Sequence, residues 1–199
     1  MRILAWNCQG IGLDNSSKIR CLTDHIHRER PNFIFLCETK SNVHKAVNTI
    51  SNLDHYKSFV VGSQGLSGGL WCFWDENLDV QIAWSDSWIV HTVVNDFQGN
   101  FWYLSCIYGS PTPSIRREQW KILPSLLPPS NILWLCIGDF NDVSSNSEKR
   151  GGPLLFPSQM QYFNNMIQDC CLMDMGFIGS PFTWCNNQQG LRQVFKRLD

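Results

Sequence analysis

Two strand-length runs made almost entirely of apolar residues constrain the fold of this chain more than any other feature. Asn32–Cys37 (NFIFLC) and Ile132–Ile137 (ILWLCI) carry large apolar side chains at nearly every position. A strand with one face in water alternates apolar and polar residues, whereas an unbroken apolar run belongs to a strand that is covered on both faces. The pattern therefore predicts sheets that lie inside the protein, between other layers.

Other apolar runs of strand length alternate with polar or helical segments. Further strands are predicted at Arg2–Trp6, Lys57–Val61, Gly69–Trp74, Val80–Trp84, Trp88–Asn95, Asn100–Tyr108, Phe182–Cys185 and Gln193–Leu198. Helices are predicted at Ser16–Arg30, Ser41–Leu53, the start of Ser114–Leu127 and Ser158–Cys171. Asp139–Pro157 is predicted to be a polar loop. Many strands with few helices favour two packed sheets with outer helices over a Rossmann fold, because no GxGxxG follows the first strand.

The composition is that of one domain with a substantial core. The chain has 199 residues, of which 43% are hydrophobic and 17% charged, and its formal net charge is −1. This charge excludes a polybasic protein that binds nucleic acid through bulk charge, so any such binding must depend on local patches. Neither an apolar run of about 18–20 residues nor the apolar region of a secretory signal occurs, so we expect an intracellular protein without a membrane span.

The cysteines are predicted to be reduced and structural. There are nine of them, and no CxxC pair occurs, which disfavours a zinc ribbon. Cys37, Cys106 and Cys136 lie inside apolar runs. We therefore interpret them as small buried hydrophobic residues in a reducing compartment.

Polar residues follow three of the predicted strands in the same way. The first strand runs into Asn7, Asn32–Cys37 runs into Glu38, and Ile132–Ile137 runs through a glycine into Asp139. Each residue alone has a structural explanation, such as a cap on the turn after Asn7, a surface charge at Glu38 or an Asx-turn at Asp139. Because the pattern occurs three times, and rigid strand ends are where α/β proteins assemble active sites, we expect these residues to form a site.

Such a set of residues is suited to the hydrolysis of a phosphodiester. The reaction needs a hard cation, a positioned water molecule and donors for the charge on the phosphoryl oxygens. Mg²⁺ prefers oxygen ligands and keeps several waters, so Glu38 can supply its one carboxylate, while Asp139 can orient and deprotonate the water. Asn7 and Asn141 have amides that can bond phosphate or position the acids. Asp139 and Asn141 would share a face if this segment is extended.

Seven motifs occur in an order that resembles a known superfamily. They are WNCQG, LCETK, the Gly68–Gly69 pair before a strand, IYGSP, IGDFN, PFTW and RLD. Together they resemble the endonuclease/exonuclease/phosphatase superfamily, whose fold is that of DNase I and the AP endonucleases, and they look most like the endonuclease domain of plant LINE-type non-LTR retrotransposons. The resemblance covers essentially the whole chain. It implies a single α/β domain, 1–199, built as a four-layer α/β/β/α sandwich of two packed mixed sheets with outer helices.

The resemblance also implies roles for individual residues. Glu38 would be the ligand of Mg²⁺, with Mn²⁺ as an alternative, and Asp139 would activate the water. Asn7 and Asn141 would hold the phosphate and the acidic groups. Tyr108 resembles the tyrosine that contacts the phosphate or leaving group. Without the resemblance, we would interpret it as an aromatic residue at the end of a strand.

The remaining motifs are matched less completely. Asp199 resembles an acid that supports the family's catalytic histidine, and Thr183–Trp184 resembles an element for packing and backbone contacts. Gln9 stands where DNA-repair relatives carry an acid. The family pattern continues beyond RLD with a Ser-Asp-His segment that this chain lacks, and none of its histidines is placed to substitute. We therefore expect the last strand or strands to be missing and catalysis to be weak or absent.

Three functions remain open. The first is a Mg²⁺-dependent endonuclease that nicks DNA and leaves a 3′-hydroxyl, acting in the nucleus. The second is a related phosphoesterase that acts on RNA, phosphoinositides or sphingomyelin, and the third is a non-catalytic remnant. The basic residues that could contact a DNA backbone are Arg116, Arg117, Lys149 and Arg150. No protein partner is inferred, and the oligomeric state stays open.

Overall fold

The strands and helices follow the predicted order along the chain. The computed structural model describes residues 1–11, 16–41, 44, 55–65 and 67–199. The strands are β1 (Ile3–Asn7), β2 (Phe33–Cys37), β3 (Tyr56–Val61), β4 (Leu70–Asp75), β5 (Asp79–Asp86), β6 (Ile89–Asn95), β7 (Phe101–Tyr108), β8 (Leu133–Asp139), β9 (Lys149–Arg150), β10 (Trp184–Cys185) and β11 (Phe195–Lys196). The α-helices are α1 (Ser16–Glu29), α2 (Pro113–Ile122) and α3 (Pro157–Asp169).

Tertiary contacts divide the chain into two compact units. The first comprises Met1–Tyr108 with Pro128–Asp139, and the second comprises Gly109–Leu127 with Phe140–Asp199. The first unit contains two mixed sheets, with strand orders β1-β2-β4-β3 and β5-β6-β7-β8. In each sheet one pair of strands is parallel, β1 with β2 and β7 with β8, and the other pairs are antiparallel.

The two sheets of the first unit pack face to face around its main core. This core joins Phe33, Phe35 and Cys72 of one sheet to Val90 and Leu104 of the other. The opposite face of β2 packs against α1 and its neighbours. β2 is buried at all five positions because it has a layer on each side, as its apolar run predicts.

The strand β8 is less deeply buried than its apolar run predicts. Leu133 is 79% exposed, and the next residues of the strand are only partly buried. The reason is its position, because β8 lies at the edge of its sheet. The strand nevertheless continues to Asp139, two residues beyond the predicted end, and this extension makes Asp139 part of the sheet.

The second unit holds a small sheet and two helices. Its strand order is β10-β11-β9, and Trp184 and Cys185 pair with Lys196 and Phe195, so the predicted final pair of strands is confirmed. The strand β9 lies inside the segment that was predicted to be a loop, because two polar residues carry no apolar pattern. The core of this unit includes Val143, Met160 and Leu198.

Most predicted helix ends are close to the observed ones. The helix α1 ends just before Arg30 and Pro31, and α2 ends at Ile122, ahead of Pro124. The predicted helix at Ser41–Leu53 lies largely outside the described residues. Two packed mixed sheets with helices are confirmed. Within the described ranges, every helix is too short or too polar to cross a lipid bilayer.

Candidate active site

Four of the predicted site residues lie at the carboxyl ends of strands in the first unit. β1 ends at Asn7, Glu38 follows β2, β7 ends at Tyr108 and β8 ends at Asp139. Tyr108 pairs directly with Asp139 in the parallel β7–β8 ladder. β1 and β8, which belong to different sheets, lie against each other. The sandwich therefore brings the ends of both parallel pairs to one edge.

A hydrogen bond joins Asn7 to Asp139 across the two sheets. The amide Nδ2 of Asn7 donates to Oδ2 of Asp139 over 2.7 Å, and Asp139 is only 6% exposed. The other amide atom, Oδ1, accepts from the backbone N–H of Gln9 at 3.0 Å. Asn7 thus caps its own turn and also bonds the Asp139 carboxylate. A carboxylate in this degree of burial requires such a donor.

Glu38 has a hydroxyl donor and a cation as neighbours. The Tyr108 hydroxyl donates to its carboxylate, and Nζ of Lys40 lies 3.3 Å from Oε1. Burial, followed by the charge of Glu38, raises the pKa of Tyr108 well above its ordinary value, so the phenol stays protonated and remains a donor. The Glu38 side chain is 21% exposed, so that ions from solvent can approach it.

Backbone contacts fix the Glu38–Lys40 segment. Gly10 N–H donates to the Glu38 carbonyl at 2.7 Å, and Lys40 N–H donates to the Gly68 carbonyl at 2.9 Å. Glu38 and Lys40 both have a φ of +52°, a left-handed conformation that costs free energy in residues other than glycine. A Cβ added at Gly69, where φ is +90°, would lie 2.3 Å from Oγ1 of Thr39. The glycine pair of the sequence motif therefore supports the loop that carries Glu38.

Asn141 and Asp199 belong to the second unit. Asn141 has a φ of +51°, so the segment after Asp139 is not extended and the expectation of a shared face is wrong. The chain turns here, and Asn141 Nδ2 donates to the Gly109 carbonyl at 2.9 Å. Asp199 accepts a hydrogen bond from Thr183, whose Oγ1 also accepts from Leu198 N–H at 3.1 Å. Thr183 thus makes the backbone contact that the PFTW motif predicts.

The sequence places the chain in a known family. The sequence profile of the Endonuclease/Exonuclease/phosphatase family matches residues 4–192. The chain belongs to this family. None of the curated protein sequences is similar to it at a significant level.

Several solved structures share the fold of this Endonuclease/Exonuclease/phosphatase family chain at low sequence identity. The endonuclease domain of TRAS1, a telomere-specific non-LTR retrotransposon, is 16% identical with a TM-score of 0.67, over 98% of this chain and 84% of that one. The AP endonuclease LMAP from Leishmania major is 14% identical with a TM-score of 0.64, over 85% of this chain and 66% of that one. The 3′ phosphatase NExo from Neisseria, bound to a product DNA hairpin, is 12% identical with a TM-score of 0.60, over 85% and 71%. This chain therefore spans just under two thirds of the length of the Leishmania enzyme.

The Endonuclease/Exonuclease/phosphatase family generally depends on a divalent metal ion, and the residues at Glu38 are compatible with one. Among the described residues no cluster of three or more His, Cys, Asp and Glu side chains could hold a metal. Mg²⁺ does not require such a cluster, because it binds through one or two carboxylates and retains water. Glu38 is partly exposed and already faces a cation, the Lys40 ammonium. A single, partly exposed carboxylate is therefore compatible with a divalent ion that keeps most of its water ligands.

Two lysines near the site were missed by sequence reasoning. Lys40, in the LCETK motif, is the counterion of Glu38. Lys18 on α1 donates from Nζ to the carbonyls of Cys8, Gln9 and Gly10, at 2.8, 3.1 and 3.0 Å, and so holds the loop after β1. Lys40 could have been noticed from its position two residues after Glu38. Lys18 carries no sequence signal, because only the packing of α1 brings it to that loop.

Three of the described histidines make contacts away from Glu38. His25 bonds Arg28, His55 bonds Glu76, and His91 is buried and bonds Ser105. His91 lies in β6 and is 4% exposed, so it is a packed ring.

The basic residues suggested for DNA contacts each have an intramolecular partner. Arg116 pairs with Asp142, Arg117 lies over the Tyr162 ring, Lys149 bonds backbone carbonyls, and Arg150 lies over Phe182 and Phe195. These contacts hold the cations in fixed positions.

Proposed function

We propose that this chain is an endonuclease-type domain of retrotransposon origin that nicks DNA by Mg²⁺-dependent, in-line hydrolysis of a phosphodiester. The observation that carries the proposal is the group formed by Asn7, Glu38, Tyr108 and Asp139 at the carboxyl ends of two parallel strand pairs. The group contains a hydrogen-bonded carboxylate, a second carboxylate open to cations and a protonated phenol. These are the parts that phosphodiester hydrolysis requires.

Asp139 is the residue that would accept the proton of the attacking water. Asn7 donates to one of its oxygens over 2.7 Å and so fixes the orientation of the carboxylate towards the water. The water oxygen would form a bond to phosphorus as the bond to the 3′-oxygen breaks, and the leaving oxygen would take a proton from solvent. This step yields a 3′-hydroxyl and a 5′-phosphate.

Glu38 would hold Mg²⁺, or Mn²⁺ in its place. When bound, the ion would supply Lewis-acid stabilisation of the negative charge on the phosphoryl oxygens. Tyr108 orients the Glu38 carboxylate through its hydroxyl. Asn141 and Asp199 are proposed to act in the same reaction, Asn141 through its amide and Asp199 by supporting a proton donor.

The likeness to the TRAS1 domain supports a retrotransposon origin. That fold similarity extends over 98% of this chain. A nick that leaves a 3′-hydroxyl provides a primer end for reverse transcription, and a DNA target would place the protein in the nucleus. The AP endonuclease and the 3′ phosphatase among the similar structures support phosphoester chemistry in general.

A plasmid-nicking assay tests the proposal. Supercoiled plasmid is incubated with Mg²⁺ and either wild-type protein, Asp139→Ala, Glu38→Ala or the control Glu76→Ala, whose carboxylate is exposed and pairs with His55. We expect nicking by the wild type and by the control, a decrease of about 10²-fold or more in both site variants, and no nicking in EDTA. Equal background for all four proteins would show that the chain is a non-catalytic remnant.

A further inference from the structure

Lys196, on β11, has a half-buried ammonium group that lies against an aromatic ring. Its Nζ lies 5.7 Å from the centre of the Trp184 ring, a cation–π contact across the β10–β11 pair. Within the described part of the chain the ammonium makes neither a hydrogen bond nor an ion pair. Removing a cation from water costs free energy that an anion normally offsets, so an isolated ammonium of this kind is unusual.

Two more cations lie close to Lys196. Lys149 is its direct neighbour on β9, and Arg116, on α2, acts on it electrostatically. Burial, followed by the charges of Arg116 and Lys149, lowers the pKa of Lys196. We call these three residues the cationic cluster.

Other contacts hold two members of the cationic cluster in place. Lys149 Nζ donates to the carbonyls of Gly151 at 2.6 Å and Pro153 at 2.5 Å, which leaves one N–H for another acceptor. Arg116 donates from Nε to Asp142 at 2.9 Å and from Nη1 to the Ser110 carbonyl at 2.5 Å, which leaves Nη2. The donors of the cationic cluster are thus fixed before any ligand arrives.

Asp142 is the carboxylate that acts on this cluster, and it is already engaged. Its Oδ2 accepts from Arg116 Nε and from Trp120 Nε1 at 3.1 Å, and its Oδ1 accepts from Val143 N–H at 3.1 Å. One carboxylate against three cations leaves a net charge of two positive. The unit therefore holds a preformed positive site that its own residues do not neutralise.

We propose that the cationic cluster of Arg116, Lys149 and Lys196 binds a phosphate of the nucleic-acid backbone. The non-bridging oxygens would accept hydrogen bonds from Lys196 Nζ, from the remaining Lys149 N–H and from Arg116 Nη2. Lysine and arginine donors of this kind are the usual partners of backbone phosphates, which position the nucleic acid without reading its sequence. The proposal rests on the proposed function, in which the substrate is DNA.

DNA rather than free phosphate is the expected ligand. Two net charges at a partly exposed site attract a single free phosphate only weakly at physiological salt, because the interaction is screened. A DNA strand held elsewhere on the protein presents its phosphates at high effective concentration. The binding of DNA should therefore exceed that of inorganic phosphate by a large factor.

The salt dependence of DNA binding tests this site independently of catalysis. A fluorescein-labelled duplex is titrated in EDTA with wild type, Lys196→Met and the control Lys121→Met, at salt concentrations from about 50 to 200 mM. Lys121 lies on the same helix as Arg116 but pairs with Glu118 at 2.7 Å. We expect Lys196→Met to weaken binding for every duplex sequence and to lower the salt slope of log K by about 0.9, while Lys121→Met leaves both unchanged.

Two further measurements decide between a phosphate site and a structural role. Lys196→Met should have a melting temperature equal to or above that of the wild type, because methionine keeps the contact with Trp184 and removes the repulsion. In NMR spectra of lysine-labelled wild type, the pKa of Lys196 should rise on adding duplex DNA and change much less with inorganic phosphate at equal ionic strength. An unchanged salt slope, a lower melting temperature of the variant or an equal response to free phosphate would each overturn the proposal.

The outcomes separate this inference from the proposed function. DNA binding with the expected slope change, in a protein that never nicks plasmid, would support the phosphate site and refute the nuclease. Nicking that depends on Asp139, with a salt slope unaffected by Lys196→Met, would support the nuclease and refute the phosphate site.

Discussion

Asn7 and Asp139, 132 positions apart in the sequence, are joined by a hydrogen bond of 2.7 Å from Nδ2 to Oδ2. The bond crosses from the end of β1 in one sheet to the end of β8 in the other. It links the two sheets at the edge where Glu38 and Tyr108 also lie. The bond therefore belongs both to the proposed catalytic group and to the packing of the sandwich.

Replacing Asn7 with alanine should destabilise the protein as well as reduce nicking. A hydrogen bond to a charged, buried group contributes about 1.5–3 kcal/mol, so the free energy of unfolding should fall by about that amount in urea titrations. Asn77→Ala is the matched control, since Asn77 donates to the Asp75 carboxylate at 3.0 Å on the surface. The control should change stability by less than about 0.5 kcal/mol. Equal effects of the two substitutions would contradict the role of burial.

Gly69→Ala should destabilise the loop that carries Glu38 through two separable effects. The new Cβ would lie 2.3 Å from Thr39 Oγ1, and the φ of +90° is unfavourable for alanine. Gly65→Ala isolates the second effect, because Gly65 has a φ of +62° and nothing within 4 Å of a new Cβ.

A double-mutant cycle measures the contact with Thr39. Combining Gly69→Ala with Thr39→Ala should restore part of the lost stability, with a coupling of about 0.5–3 kcal/mol in chemical denaturation. Additive effects of the two substitutions would show that the steric contact is unimportant.

Lys40→Met should increase the affinity of the protein for Mg²⁺. In the metal-free protein Lys40 Nζ lies 3.3 Å from Glu38 Oε1, so an incoming cation must compete with it. An ion pair this exposed contributes about 0.2–1 kcal/mol. If Mg²⁺ no longer has to displace Lys40, its affinity should rise by up to about fivefold, which calorimetry can measure. Lys57→Met, on β3, serves as the control. Weaker binding by Lys40→Met would mean that Lys40 supports the metal site instead of competing for it.

His91 should make the stability of the protein depend on pH below neutrality. The residue is 4% exposed, and burial lowers its pKa below the ordinary value of 6.5. Trp134 Nε1 donates to Ser105 Oγ at 2.8 Å, which leaves the serine hydroxyl hydrogen for His91 Nδ1 at 2.7 Å. Protonation of His91 would remove this acceptor.

The sign of the effect follows from the two protonation states. Below pH 6.5 His91 binds a proton in the unfolded chain but not yet in the folded protein, where its pKa is lower. The contribution of His91 to the free energy of unfolding is therefore complete above pH 6.5 and decreases as the pH falls towards the pKa of the folded state. The slope from this residue is at most about 1.4 kcal/mol per pH unit. Urea titrations of His91→Gln should show a weaker pH dependence in this range, whereas the exposed His27→Gln should behave like the wild type. Parallel pH curves for wild type and His91→Gln would refute the assignment.

The cysteines should react with Ellman's reagent in two clearly separated phases. Cys21 and Cys171 are exposed and should react quickly in the native protein. Burial raises the pKa of the Cys37 and Cys106 thiols well above the ordinary value, so these should react only as the protein unfolds. Cys21→Ser with Cys171→Ser should remove the fast phase. Rapid modification of Cys37 in the folded protein would show that the core is more open than its burial indicates.

The sequence by itself determined the fold class, the residues that end the strands, and every strand among the described residues except the two-residue β9. Apolar runs and period-two patterns report which side chains of a strand are buried, and this is visible in a short stretch of sequence. The strand at NFIFLC and the strand that ends at Tyr108 could therefore be predicted from the sequence alone. Glu38 and Asp139 could be named as acids that follow strands for the same reason. The motif order led from these residues to the family.

Only the tertiary structure decided which groups meet and what each one bonds. The link between Asn7 and Asp139 and the pairing of Lys196 with Lys149 both join distant parts of the chain. The turn at Asn141, where φ is +51°, shows how a single backbone angle changes the direction of a side chain without any change in hydropathy. The reason is general: periodicity reports which face of an element is buried, whereas contacts between polar groups depend on sheet packing and loop conformation, which no local pattern encodes.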